Sequence, residues 1–184
     1  CSYLEKYKRN RNNRRYSTNV NHTFVICAYK ESEYLEECIL SLKNQELKSF
    51  ILMETSTPNE HIASLAEKYD IPLFVNPNGG ITQDWNFGLS KIKTKYATIA
   101  HQDDVYEPGY GKKIVEAFEK SRNPLIAFSD YGEIRGGNKV TNTRMLKVKR
   151  LMLMPLRIKA FKGSKFVRRF ILSLGDPICC PAVS

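Results

Sequence analysis

The chain has 184 residues, 42% of them hydrophobic and 26% charged, with a net charge of +10. That length holds one domain with a three-layer core, the composition excludes wholesale disorder, and no run approaches the roughly 18 apolar residues of a membrane span. The charge is segregated: residues 1–15 carry +5, residues 16–138 carry −5, residues 139–169 carry +11 with no acid, and residues 170–184 carry −1. Two basic flanks on an acidic body point to anionic surfaces meeting the flanks, not to a nucleic-acid-binding core.

Cys27 lies in an apolar run and Cys38 in a helical pattern, so both read as small buried hydrophobes. Cys1 and the adjacent Cys179–Cys180 complete the set, with no CxxC, so neither zinc nor a disulfide framework is indicated and a reducing cytosol fits. The chain begins at Cys1 instead of Met, shows no signal peptide, and ends at PAVS, which reads as a piece of something longer.

Residues 1–21 are polar and basic and read as a solvated arm or linker. Residues 22–28, HTFVICA, form a continuous β-rich apolar run, the pattern of a strand buried on both faces. Residues 33–47 place Leu35, Cys38, Ile39 and Leu42 on one helical face. A second strand follows at residues 50–53 and a second helix at 61–69, with Ile62, Leu65, Ala66 and Tyr69 inward. A third strand spans 72–75 and runs into the turn Asn-Pro-Asn-Gly-Gly at 76–80. Thr82 is placed to cap a third helix at 83–92 with Trp85, Leu89 and Ile92 on one side. The fourth strand is 97–100, the fourth helix 110–120 with Ile114, Ala117 and Phe118 inward, and the fifth strand 125–129. Strands alternating with helices at this spacing predict an α/β fold: a mostly parallel sheet flanked by helices.

The polar groups that could do chemistry collect at the ends of these strands. Residues 29–31, Glu54 to Thr57, residues 78–80, His101 to Asp104, and Asp130 all follow strand C-termini, the ligand edge of an open parallel sheet. Asp103 and Asp104 are adjacent acids at the end of the fourth strand. As oxygen donors without a supporting Cys or His cluster, they suit Mg²⁺ or Mn²⁺ bridging phosphates; as a surface pair they would cap the next turn. His101 reads either as a nearby ligand or as a hydrogen-bonding strand-end residue.

After residue 133 the alternation stops. Residues 135–139, RGGNK, make a turn, and residues 144–174 interleave bases with Leu, Met, Ile and Phe, divided at Pro155 and Gly163 into helical pieces too short to span a bilayer. This basic segment reads either as a helical insertion with solvated Lys and Arg stems or as a peripheral surface for anionic lipid, carried by Lys147, Lys149, Arg150, Arg157 and Lys159. The expected organisation is an arm at 1–21, a ligand-binding subdomain at 22–138, the basic amphipathic segment at 139–175, and the start of an acceptor-side region at 176–184.

Over residues 23–130, and again at 177–183 (PICCPAV), the sequence resembles the inverting glycosyltransferases of family 2, which have the Rossmann-like GT-A fold. The residues carrying the resemblance are 33–45 (EYLEECILSLKNQ), Glu54 with Ser56 and Thr57, Gly79 and Gly80 ahead of Asn86, and His101-Gln102-Asp103-Asp104 followed by an aromatic residue and Pro108. The resemblance implies a nucleotide-sugar donor, with a UDP-sugar favoured, a saccharide or lipid-linked acceptor, and no specific nucleic acid. It implies that Ala28 and Tyr29 border the base and ribose and that Glu54, usually Asp in the family, contacts the base. Asp84 and Asn86 would lie beside the diphosphate or sugar, with Gly79 and Gly80 allowing close backbone approach. Asp103 would hold the divalent metal, Mn²⁺ or Mg²⁺, with Asp104 supporting it or the donor sugar. Asp130 is the acid available as a substitute for a catalytic base that members carry beyond the metal motif. This sequence departs from the family at His101, where many members have the first Asp of Asp-x-Asp, and at Met53, one position of a common double acid. The cysteine usage gives a cytoplasmic location, and the lipid reading of the basic segment would place the enzyme at the periphery of the inner face of the membrane.

Three rivals fit the residues less well. A sugar-phosphate nucleotidyltransferase would open with a Gly-rich phosphate loop, whereas residues 28–32, AYKES, have no glycine. A non-enzymatic nucleic-acid- or membrane-binding protein would use the two basic flanks, but no aromatic platform accompanies them for nucleic acid. A receiver domain would need an acidic pair after its first strand and a Lys after its last, and neither is present.

Overall fold

The computed structural model describes residues 20–122, 124–180 and 183–184. The basic arm expected at 1–21 therefore lies almost wholly outside the described residues. The chain forms two compact units, one running to Ala127 and including Ser184, the other from Phe128 to Val183.

The first unit is built on a four-stranded, all-parallel sheet in the order β3-β2-β1-β4, with β1 at His22–Cys27, β2 at Phe50–Thr55, β3 at Leu73–Val75 and β4 at Tyr96–His101. β1 is central, which is why its apolar run is continuous instead of alternating: Phe24, Val25 and Ile26 are all fully buried. One face carries Phe24, Ile26, Met53 and Ala100. They pack with Leu35, Cys38, Ile39 and Leu42 of α1 (Leu35–Lys43), Ile62, Leu65 and Ala66 of α2 (Glu60–Lys68), and Tyr110, Ile114 and Phe118 of α4 (Tyr110–Glu119) in one core. The opposite face carries Val25 and Glu54 and is covered by α3 (Ile81–Leu89). Helices on both faces of a parallel sheet make the three layers expected of a GT-A, Rossmann-like fold.

The structure corrects the third helix. It starts at Ile81 behind Gly80, whose φ of 134° only glycine adopts readily, so Thr82 is not the cap. Its buried residues are Asp84 and Gly88, while Leu89 is 36% exposed. The reason is close approach. A Cβ on Gly88 would stand 2.5 Å from Val25 Cγ1 and 3.1 Å from Glu54 Cγ, so the helix sits on the sheet through its smallest residue and not through an apolar stripe. In α4, Ala117 is exposed, contrary to expectation, beside the buried Ile114 and Phe118.

The expected fifth strand at 125–129 does not form. Leu125 is 94% exposed, Ala127 exchanges two backbone hydrogen bonds with Ser184, and Phe128 makes one isolated antiparallel bridge to Val183. Pairing over so few residues, just after a proline that lacks an N–H, does not propagate a ladder.

In the second unit, β5 (Glu133–Arg135) and β6 (Asn138–Val140) form a hairpin turned by Gly136 and Gly137 at φ 55° and 77°. Two successive positive φ values are the type I′ geometry of two-residue hairpin loops. The basic segment is helical, as expected: α5 (Arg144–Arg157), α6 (Lys159–Lys162) and α7 (Lys165–Leu174). Thr143 and Ser164 cap α5 and α7, their hydroxyls accepting the amides of Leu146 and Val167. Pro155 is tolerated inside the last turn of α5, and the chain leaves helical geometry at Ile158. No helix among the described residues is long and apolar enough to cross a membrane.

Candidate functional site

Strand register sets the site. Cys27 pairs with Glu54 on one side and with His101 on the other, so these three residues form one row across the C-terminal end of the sheet. The chain beyond that row supplies Ala28, Tyr29, Ser56, Thr57, Gln102, Asp103 and Asp104 at the same edge.

The loops leaving β1, β2 and β4 are tied together. Tyr29 and Gln102 exchange two hydrogen bonds of 2.9 Å, the backbone N–H of Tyr29 donating to Oε1 and Nε2 donating to the Tyr29 carbonyl. Lys30 then turns with φ of 55°, and its amide donates to Thr57 Oγ1. Ala28 is buried and Tyr29 is 51% exposed, so the aromatic ring is available at the edge.

The acidic loop after β4 is held by one face of α1 and its extension. Cys38 donates its thiol to the His101 carbonyl at 3.2 Å, Ser41 Oγ accepts the Tyr106 amide, and Gln45 Nε2 donates to the carbonyls of Tyr106 and Glu107. Gln45 Oε1 also accepts the amide of Gly111 at 2.9 Å. Cys38 and Ser41 lie one turn apart on α1 and Gln45 lies two residues past its end, so residues 101–111 are held from α1 and the chain just beyond it. Gln45 was visible in the sequence only as part of a resemblance; a polar residue continuing an apolar helical face was the available signal for its role.

Within that loop Asp103 is exposed, while Asp104 is half-buried with Oδ2 shielded from solvent and without a hydrogen-bond partner. Burial, and next the charge of Asp103, push the Asp104 carboxyl up to about 6. His101 points to the α3 side, edge-on to Trp85 with ring centroids 5.5 Å apart. Burial lowers its proton affinity, with Asp103 opposing. Among the described residues no group of three or more His, Cys, Asp or Glu converges as a metal site. A Mg²⁺ or Mn²⁺ shared with phosphates needs only one or two protein carboxylates, and the exposed Asp103 beside the orphaned Asp104 oxygen fits that donor set.

Glu54 is fully buried beneath α3, and neither carboxylate oxygen has a hydrogen-bond partner of normal geometry. Burial first, then the nearby Asp84 charge, push it up to about 7, with the Cys27 thiol pulling the other way. Burial and the Glu54 charge hold the Cys27 thiol protonated. Because the folded state binds the Glu54 proton more tightly than the unfolded chain, the contribution of Glu54 to stability is fully present below pH 4.5 and is lost as pH rises through 7. The loss is on the order of 3 kcal/mol by linkage. Glu54→Gln is therefore expected to raise the melting temperature at pH 8 and leave it nearly unchanged at pH 4; equal effects at both pH values would refute a buried, proton-binding Glu54.

Asp84 is placed differently from Asn86. Its Oδ1 accepts from Asn76 Nδ2 at 2.8 Å and its Oδ2 from Ser56 Oγ at 2.9 Å, so the carboxylate braces the β2 and β3 loops. Asn76, which the sequence marks only as a turn residue, is 4% exposed. Asn86 is exposed on α3, and Gly79 and Gly80 lie just ahead of that helix, with only Ser56 near a Cβ on Gly79. The fifth strand expected ahead of Asp130 is absent among the described residues. Asp130 lies in the second unit, where Arg150 Nε donates to both of its oxygens at 2.8 and 3.0 Å.

Known proteins resemble this chain in sequence and in fold. The chain is 30% identical over 118 residues to an uncharacterized glycosyltransferase of Haemophilus influenzae, covering 60% of this chain and 36% of that protein. It is 26% identical over 151 residues to the minor teichoic acid biosynthesis protein GgaB of Bacillus subtilis, covering 73% of this chain and 17% of that one. The chain thus spans about a third or less of the length of these relatives. The crystal structure of S. aureus TarS aligns with a TM-score of 0.47 at 14% identity, covering 71% of this chain and 30% of that chain. The family model described as Glycosyl transferase family 2 matches residues 23–182, which takes in the sheet from Thr23 onward and the acidic edge, and the chain belongs to that family.

Proposed function

We propose that this chain binds a nucleotide sugar, a UDP-sugar by preference, and serves transfer of the sugar to a saccharide or lipid-linked hydroxyl with inversion at the anomeric carbon. The observation that carries the proposal is the acidic edge itself: an exposed Asp103 beside an orphaned Asp104 oxygen, in a loop clamped by Cys38, Ser41 and Gln45. Asp103 would hold Mn²⁺ or Mg²⁺, which when bound would neutralise charge on the leaving nucleoside diphosphate. Asp104 would support that ligand or the donor sugar. Tyr29 and Ala28 would border the base and ribose, and Glu54, fully buried beneath α3, would support the floor of that pocket without touching the base. The Gly79–Gly80 backbone and Asn86 would face the diphosphate or sugar, with Asp84 holding the surrounding loops in place. Asp130, engaged at both oxygens by Arg150, is not given the role of general base. The donor chemistry suits a cytoplasmic enzyme of polysaccharide or cell-envelope synthesis, in keeping with the similarity to a minor teichoic acid biosynthesis protein of Bacillus subtilis. Binding measurements with UDP-, GDP- and dTDP-sugars test the proposal: one nucleotide should bind clearly tighter than the others, and binding of none by folded protein would overturn it.

A further inference from the structure

We propose that the second unit presents a surface for anionic lipid bilayers, with α7 as the inserting element. Phe166, Phe170 and Leu174 recur every four residues, which puts them on one stripe of α7, and they are 79%, 57% and 64% exposed. Ile171, on another face of the same helix, is 4% exposed, so α7 is anchored by residues distinct from the stripe. α5 repeats the arrangement: Leu146 is 1% exposed, whereas Met145, Val148 and Leu151 are 61%, 45% and 64% exposed. The unit thus buries one apolar set and leaves another outside, on two helices that carry bases and no acid.

Charge selects the occupant. Residues 139–169 hold eleven Lys and Arg and no acid. A second copy of this surface would bring the same positive charge against itself, which disfavours self-docking. A bilayer with anionic headgroups satisfies both features at once, taking the aromatic stripe at the headgroup–acyl boundary and the bases at the headgroups. The structure also redistributes the lipid-facing charge expected from sequence. Arg150 is engaged by Asp130 and by the Thr141 and Tyr131 carbonyls, and Lys149 donates to Cys179 Sγ at 2.9 Å. The exposed Lys147, Arg157, Lys165 and Arg169 remain for headgroups, while the side chain of Lys159 lies outside the described residues.

The test is flotation of the protein with phosphatidylcholine vesicles, with and without about 30% phosphatidylglycerol, in the absence of nucleotide and metal. Binding is expected only with the anionic vesicles and should weaken as salt is raised. The double variant Phe166→Ser/Phe170→Ser should lose at least about tenfold in partitioning, and Lys165→Glu/Arg169→Glu about tenfold. Both should keep the wild-type melting temperature, because the altered side chains are exposed. No binding, equal binding to neutral vesicles, or binding unchanged in both variants would overturn the proposal. So would lipid-free self-association, seen by ultracentrifugation, that the Phe variant abolishes. Donor binding is measured without lipid, so failure of either proposal leaves the other standing.

Discussion

Asp84→Ala is expected to destabilise the first unit by about 3 kcal/mol, the loss of two hydrogen bonds to a charged group. Asp84 accepts from Ser56 and Asn76, and the Asn76 amide is too deeply buried to find water when the carboxylate is gone. For a chain of this size the loss corresponds to a fall in melting temperature of roughly 6–12 °C. Asp84→Asn is the informative companion. Its amide oxygen can keep the Asn76 bond and the Ser56 hydroxyl can rotate to accept, so it should cost only about 1 kcal/mol. A melting temperature within about 2 °C of wild type for the alanine variant would show that the bracing bonds contribute little, contrary to the geometry.

Asp103→Asn is expected to act on the ligand and not on the fold. The side chain is exposed, so stability should stay within about 0.5 kcal/mol of wild type. Metal-supported donor binding should fall by about 100-fold or more, since even the outer partners of metal ligands are worth about 10–100-fold. Asp104→Asn should separate the two acids. It replaces a carboxyl whose folded-state proton affinity is raised to about 6, so it should stabilise the protein at pH 8, where that carboxylate is otherwise held charged and partly buried. An Asp103→Asn protein that retains full metal-dependent binding would move the ligand role elsewhere on the edge.

Much of the first unit was legible because its periodicities are strong. β1 is a continuous apolar run because it is central in a parallel sheet, and Leu35, Cys38, Ile39 and Leu42 are all buried as their helical spacing requires. What escaped were features decided by neighbours distant in sequence. Gly88 looks like a weak point in a helix until Val25 and Glu54 are found beneath it, and the same approach turns Asp84 inward and leaves Leu89 at the surface. Residues 125–129 have the composition of a strand, yet composition cannot supply a ladder partner. The acidic pair was legible as chemistry; its rigidity was not. That rigidity comes from Cys38, Ser41 and Gln45, which hydrogen-bond across more than sixty positions of chain. The basic segment was legible as helical, but the internal engagement of Arg150 and Lys149 depended on Asp130 and Cys179 being folded beside them.

Calorimetric titration of UDP-sugar into the protein, with and without Mn²⁺ and repeated with Asp103→Asn, bears on the acidic edge at its root. The expected result is saturable binding that Mn²⁺ strengthens in the wild type and fails to strengthen in the variant. Binding of equal strength with and without Mn²⁺, or no binding of any sugar nucleotide by protein shown to be folded, would contradict a metal-assisted donor site at Asp103.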